Sequence, residues 1–343
     1  MELTKCKLGE LITQRREKSD GTPLPICGVS KDGLIPPKQI DADTSIYNVF
    51  YRDDFIFNPA RMELNSIAIN DKYDRAICSS LYEVFYVHRT DLLLPHYLKL
   101  IVKQKWFTRY CEFLGQGSAR EYCRFNNISE IEIEFPSIEE QQKIVEHYTA
   151  LQNRIAIKKQ INDNLEATLS ALFVETFASQ EGAEKVKLGE LISFGNGKSR
   201  PKTDGTIPVY GGNGILSYTD QHNNKNVVLI GRVGAYCGSV YLEQDLCWVS
   251  DNAIFAKSKI SNSEYFDYYL LKGLNLFNHH VGTGQQLLTQ EILNNIEVTK
   301  PDFSLIECFN SKAKSVFDTI TNNEREIVRL QDLSSLLLSR LAG

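Results

Sequence analysis

The feature that most limits how this chain can fold is an internal repeat. The run Lys7-Leu8-Gly9-Glu10-Leu11-Ile12 recurs unchanged as Lys187-Leu188-Gly189-Glu190-Leu191-Ile192, with Lys5 answered by Lys185. Further landmarks follow in the same order. Asp20-Gly21-Thr22, Pro25 and Gly28 are matched by Asp204-Gly205-Thr206, Pro208 and Gly211. Phe55-Ile56-Phe57 leads to Arg61 as Val228-Leu229-Ile230 leads to Arg232, and Ser79-Ser80 is matched by Ser250-Asp251. Gly115-Gln116-Gly117 corresponds to Gly282-Thr283-Gly284, and Ile131-x-Ile133-x-x-Pro136 to Ile296-x-Val298-x-x-Pro301. A constant order with small changes of spacing means two copies of one domain that differ in loop length.

Each copy ends in a long helical pattern. After Pro136, a Ser137-x-x-Glu140 capping box opens an apolar stripe at Ile144, Tyr148, Leu151, Ile155, Leu165, Leu169 and Leu172. The second stripe is Leu305, Phe309, Val316, Ile320, Ile327, Leu330 and Leu337. Steps alternating three and four over about five heptads predict a coiled-coil seam on helices of about 40 residues, roughly 60 Å each. Lys158, Asn162 and Asn323 interrupt it. They either fix register, as buried polar residues do in coiled coils, or lie where the seam twists toward solvent.

The rest reads as β-prone segments separated by Gly, Pro, Asn and Asp clusters, with helices predicted over 92–110 and 263–277. The expected fold class is mixed α/β, of the α+β kind. It comprises two repeated globular domains, 1–136 and 183–300, and two long coiled-coil helices, 137–178 and 301–341.

Composition removes several function classes. A length of 343 residues with 42% apolar content can bury two cores. There is no run of about 18 apolar residues, and the first 16 residues lack a signal peptide's apolar block, so the expected location is cytoplasmic. The eight cysteines form no Cys-x-x-Cys or Cys/His spacing suited to zinc, and they read as buried thiols. A net charge of −5 argues against nucleic-acid binding by bulk charge, leaving local patches or a basic partner.

Catalytic motifs are equally thin. In Gly195-Asn196-Gly197-Lys198-Ser199 the first glycine of a phosphate loop is replaced by Ile192, and Arg200-Pro201 forbids an immediate helix. Asn58-Pro59 is followed by Ala60-Arg61 where an amino-methyltransferase motif has proline and an aromatic residue, and no glycine-rich cofactor fingerprint follows a strand. The chain reads as a binder with no catalytic or metal-ligating set.

The equivalent loops carry the side chains a reader of DNA needs. In the first copy they are Arg15, Arg16, Lys18, Lys31, Arg61, Gln116, Ser118, Arg120, Tyr122 and Arg124. In the second they are Lys198, Arg200, Lys202, Asn213, Arg232, Tyr236, Gln285 and Gln286. Arg, Lys, Asn and Gln make bidentate contacts to purine edges, and Ser, Thr and Tyr hold phosphates. Any one of these residues could equally be a solvated loop side chain. A constant frame with changed loops fits two readers of two different short sequences.

With these features the chain resembles the specificity (S) subunits of type I restriction-modification systems, over essentially its whole length. The resemblance rests on the two KLGELI starts and on Gly115-Gln116-Gly117-Ser118 with Gly282-Thr283-Gly284-Gln285. Above all it rests on Phe135-Pro136-Ser137-Ile138-Glu139-Glu140-Gln141-Gln142-Lys143-Ile144-Val145, since such a Glu-Gln-Gln segment opens the long helix in that family. The second copy departs from it, with Pro301-Asp302-Phe303-Ser304-Leu305-Ile306-Glu307.

The resemblance implies a non-catalytic subunit that binds a bipartite double-stranded DNA target through two recognition domains separated by the two long helices, which it implies are antiparallel. It also implies adenine methyltransferase (modification) subunits and restriction/translocase subunits as partners, which would hold S-adenosylmethionine, ATP and magnesium. Helices of roughly 60 Å suit half-targets one to two DNA turns apart. Two alternatives are a recognition subunit of another multisubunit restriction system and a duplicated scaffold with no nucleic-acid role.

Overall fold

The structure, a computed structural model, describes residues 3–37, 43–115, 122–177, 184–282 and 284–339. The chain forms two compact units. One comprises Met1–Ile157 with Glu326–Gly343, the other Lys158–Arg325. Each therefore takes one globular copy together with segments of both long helices.

In the first unit the order is β1 (Thr4–Lys7), β2 (Ile12–Arg15), β3 (Ile26–Ser30), β4 (Gly33–Ile35), β5 (Asn48–Tyr51), β6 (Phe55–Phe57), β7 (Ile67–Ile69), β8 (Arg75–Cys78) and β9 (Glu83–Val87). Then come α1 (Pro95–Val102), α2 (Lys105–Gly115), α3 (Phe125–Ser129), β10 (Glu132–Phe135) and the long α4 (Ile138–Phe177). The second unit adds β11 (Lys185–Lys187), α5 (Leu188–Leu191), β12 (Ile192–Asn196), β13 (Ile207–Gly211), β14 (Gly214–Thr219), β15 (Asn224–Gly231), β16 (Val240–Val249) and β17 (Ala253–Ser258). It closes with α6 (Glu264–Gly273), α7 (Gln290–Asn295), β18 (Glu297–Thr299) and the long α8 (Phe303–Ser339).

The repeated hexapeptide is the fastening of each globule. Its first residue ends a strand that pairs antiparallel with the strand leading to the long helix, β1 with β10 and β11 with β18. The Leu8 N–H then donates to the Ile131 carbonyl at 2.8 Å, and Leu188 to Ile296 at the same distance. Both leucines are fully buried. There is little room for a side chain between them and the glutamate. A Cβ on Gly9 would lie 3.0 Å from Ser129 Cβ, and one on Gly189 would lie 2.4 Å from Asn294 Oδ1. The repeat thus preserves a close approach to the short helix that precedes β10 or β18.

The sheets repeat as well. The second unit has one sheet in the order β12-β17-β15-β16-β13-β14. The first has β2-β9-β6-β7 and β4-β3-β8-β5. If β5 and β6 are the two halves of β15, and β7 and β8 those of β16, the orders coincide, including the parallel pairs β3 with β8 and β13 with β16. The helix expected over 92–110 is broken at Lys103, whose ammonium donates to the carbonyls of Lys31 and Ile67.

Along α4, Gln141, Tyr148, Ile155, Asn162, Leu169 and Thr176 recur every seven residues, as do Ile144, Leu151, Lys158, Leu165 and Leu172; all are buried or half-buried. On α8 the sets are Ile306, Ala313, Ile320, Ile327, Ser334 and Phe309, Val316, Asn323, Leu330, Leu337. Leu305, expected on the seam, is half-buried one residue off it, and Ile306, at 2% exposure, takes that place. In the first unit Leu151 and Ile155 pack on Ile327 and Leu330, Gln152 bonds Ser334, and Arg154 pairs with Glu326, which makes the helices antiparallel.

In the second unit Asn323 accepts from the Lys158 ammonium at 2.9 Å and donates to Asn162 Oδ1 at 2.8 Å. The three polar interruptions are therefore one hydrogen-bonded layer in the seam, and the register-fixing role is the one the geometry supports.

The Glu-Gln-Gln difference between the copies also has a physical reason. Gln141 is fully buried; its amide donates to the Leu92 and Pro136 carbonyls and accepts from the Leu94 N–H, tying the start of α1 to α4. In the second unit Asn310 does this work, accepting from the Tyr265 and Phe266 N–H groups at the start of α6.

One buried group makes stability depend on pH. Asp267 on α6 is 1% exposed and neither carboxylate oxygen has a hydrogen-bond partner among the described residues. Burial pushes its pKa up to about 7. A raised carboxyl pKa favours the protonated native state, so this stabilisation is complete below the ordinary carboxylate range and is lost as pH rises through about 7. The loss amounts to roughly 4 kcal/mol. Relative to the wild-type chain, Asp267→Asn is expected to flatten that fall in urea unfolding measured from pH 5 to pH 8.

Candidate nucleic-acid interface

In the first unit the strand register brings several loops to one end of the sheets. Arg15 at the end of β2 pairs with Val84 at the start of β9, and Phe57 at the end of β6 pairs with Glu83. The segments after β2, after β6 and before β9 are thus neighbours. The Ser66 hydroxyl donates to the Val29 carbonyl at 3.1 Å, drawing in the β3–β4 turn, and the Cys123 N–H donates to the Pro59 carbonyl at 3.0 Å, drawing in residues 122–124. Between them lies a groove of about 1050 Å³ lined by Lys31, Tyr47, Asn58, Arg61, Ser79 and Tyr82 among others.

The cations expected to read DNA from this unit divide into two groups. Lys31 and Arg61 are exposed on the groove, and neither side chain makes a hydrogen bond or ion pair among the described residues. Arg15 is held internally. Its guanidinium donates twice to the buried Asp54 carboxylate, at 2.6 and 3.1 Å, and lies 4.7 Å from the Tyr51 ring and 4.6 Å from the Tyr86 ring. Burial pushes the Asp54 carboxyl up while Arg15 holds it down. Arg16 bonds Gln14, and Lys18 bonds the Ile46 carbonyl and Asn48. Arg124 lies over the Tyr122 ring and pairs with Glu83. Gln116, Ser118 and Arg120 lie outside the described residues.

The second unit gathers the equivalent segments. Leu288 N–H donates to the Arg232 carbonyl at 2.9 Å, the counterpart of the bond between Cys123 and Pro59, and Gly234 N–H donates to the Gln286 carbonyl at 3.0 Å. These bonds bring Arg232, Tyr236, Gln285 and Gln286 together. The Ser239 hydroxyl donates to the Gly212 carbonyl at 2.6 Å, which places the Asn213 turn beside them. Lys198 N–H donates to the Val249 carbonyl, and a Cβ on Gly197 would stand 2.0 Å from the Ser250 carbonyl oxygen. The Gly-Asn-Gly-Lys-Ser run is therefore a strand end pressed against another strand, with no helix to cradle phosphate. Lys198, Arg200, Lys202, Asn213, Tyr236 and Gln285 are exposed and none of their side chains is hydrogen-bonded or ion-paired among the described residues. Arg232 is half-buried and its Nε has no hydrogen-bond partner there.

Each unit thus presents donors from several loops at one end of a sheet, with the identities changed between copies. Such a surface can hydrogen-bond base edges and phosphates. Among the described residues no His, Cys, Asp and Glu cluster could hold a metal ion, and no helix is long and apolar enough to cross a membrane. Six of the eight cysteines are buried, and burial raises the pKa of Cys27, Cys78, Cys237 and Cys247.

Comparison with known proteins gives a consistent result. The family model of the type I restriction modification DNA specificity domain matches twice, at residues 40–167 and 180–307. The type I restriction enzyme MjaIX specificity subunit of Methanocaldococcus jannaschii is 23% identical over 301 residues, covering 73% of this chain and 69% of that protein. The EcoprrI specificity subunit of Escherichia coli is 26% identical over 149 residues, covering 43% and 37%. Among solved structures, the type I restriction-modification S subunit from M. genitalium superposes with a TM-score of 0.66 at 18% identity, over 99% of this chain and 96% of that one. A chain from structural work on assembly and conformational transition of the type I R-M system gives 0.52 at 20% identity, over 99% and 97%. These two structures establish a shared fold.

Proposed function

The chain belongs to the type I restriction modification DNA specificity domain family and is a specificity subunit with two tandem recognition domains, and from that premise we propose that it reads a bipartite double-stranded DNA target, one half per unit. The observation that carries this reading is the equivalence of the two loop clusters: Arg61 and Arg232 leave equivalent strands, and the bonds from Cys123 to Pro59 and from Leu288 to Arg232 gather the same segments around them.

Methyl transfer and ATP-driven cleavage belong to modification and restriction subunits, which also hold S-adenosylmethionine, ATP and magnesium. This division accounts for an acidic reader, because the partners supply much of the phosphate contact. The setting is the cytoplasm.

A gel-shift and methylation assay tests the proposal. The purified chain is expected to transfer no methyl group to DNA, and with modification subunits it is expected to confer sequence-specific binding and adenine methylation. Methyl transfer by the single chain, or partner activity whose sequence preference does not depend on this chain, would contradict it.

A further inference from the structure

The groove of the first unit holds two exposed leucines that its polar residues do not explain. Leu64 is 60% exposed and Leu81 79% exposed, and both line the groove with Lys31, Arg61 and Glu63. Their backbones are held in place. Leu64 ends the 3-10 turn Pro59–Leu64, and the next residue, Asn65, takes a left-handed conformation with φ of 52°. The Asn65 amide donates to the Val102 carbonyl and to Thr108 Oγ1, both at 2.7 Å. On the other side, the Tyr82 N–H donates to the Ser79 carbonyl at 3.0 Å and the Leu81 N–H to Ser79 Oγ at 3.3 Å. The Tyr82 carbonyl accepts from the Asn48 amide at 2.7 Å. A left-handed asparagine and a tight serine turn thus hold the backbone that presents two large apolar side chains to water beside Lys31 and Arg61.

We propose that Leu64 and Leu81 are specificity-determining residues that read thymine methyl groups in the half-target of the first unit. The inference rests on the DNA-reading function assigned above. Duplex DNA presents one apolar group in its major groove, the thymine C5 methyl. A large exposed apolar side chain flanked by Lys31 and Arg61, which suit phosphates and guanine edges, has that methyl as its complement there.

The test is a binding titration with the full chain and its modification subunits, on target DNA in which every thymine of one half is replaced by uracil. Wild-type protein is expected to lose about four-fold in affinity per contacted methyl in one half only. Leu64→Ala and Leu81→Ala, with melting temperatures near wild type, are expected to bind thymine DNA more weakly and to respond less to uracil. If uracil in neither half matters, or the variants weaken thymine and uracil DNA equally, as an inserted wedge would, the proposal is overturned. Arg61→Ala in the same titration separates the two readings. If it too leaves sequence preference unchanged, the groove is not a reader at all, whereas a change with Arg61→Ala alone rejects only the leucine assignment.

Discussion

The double variant Leu165→Asp, Leu169→Asp is expected to abolish the cooperative unfolding of the second unit. Leu169 is 2% exposed and belongs to the core that α4 and α8 share with α6, with Phe266, Phe309 and Ala313 in the same cluster. Leu165 stands four residues before it on the seam and is half-buried. At Leu169 a carboxylate would sit among the apolar side chains of that cluster, and unpaired burial of a charge costs several kcal/mol, a large part of a domain's stability. The aromatic cluster of Phe173, Phe177, Phe266 and Phe309 depends on the same helix pairing, with ring centroids 5.0–5.9 Å apart. Calorimetry and circular dichroism should show loss of a transition and of helical signal, while Leu165→Met, Leu169→Met should melt near wild type. A double aspartate variant that melts like wild type would refute the helix pairing described here.

How far the sequence discloses this molecule depends on what kind of constraint each residue obeys. Gly9 and Gly189 are visible because the backbone there lies close against the short helix before β10 or β18, and the same approach occurs in both copies. The heptads are visible because a helix pair imposes a period, yet Leu305 and Ile306 are adjacent apolar residues, and only packing shows that Ile306 faces the seam. Gln141 and Asn310 serve one purpose from positions that do not align, so the motif is absent from the second copy although its role is kept. In the candidate interface, Arg61 and Arg232 were legible through the repeat. Arg15 was not, because its partner Asp54 lies 39 residues away and no local spacing announces a tertiary ion pair. Leu64 and Leu81 escaped for the opposite reason: apolar residues near strands read as core until their exposure is known.

The second large effect concerns the division of labour between the copies. Arg61 and Arg232 leave equivalent strands in separate compact units, and the segments around each are gathered by bonds internal to its own unit. Arg61→Ala should therefore damage recognition of one half-target and Arg232→Ala of the other. Loss of a base-reading arginine relaxes discrimination by roughly 1–3 kcal/mol at one or two positions, whereas loss of a phosphate contact weakens all sequences alike and flattens the salt dependence. The most direct measurement is methylation by the assembled complex on DNA libraries randomised separately in each half, with wild type, Arg61→Ala and Arg232→Ala compared. Two independent readers predict that each variant changes base preference in one half and leaves the other as in wild type; altered preference at the same positions in both variants would contradict the bipartite account.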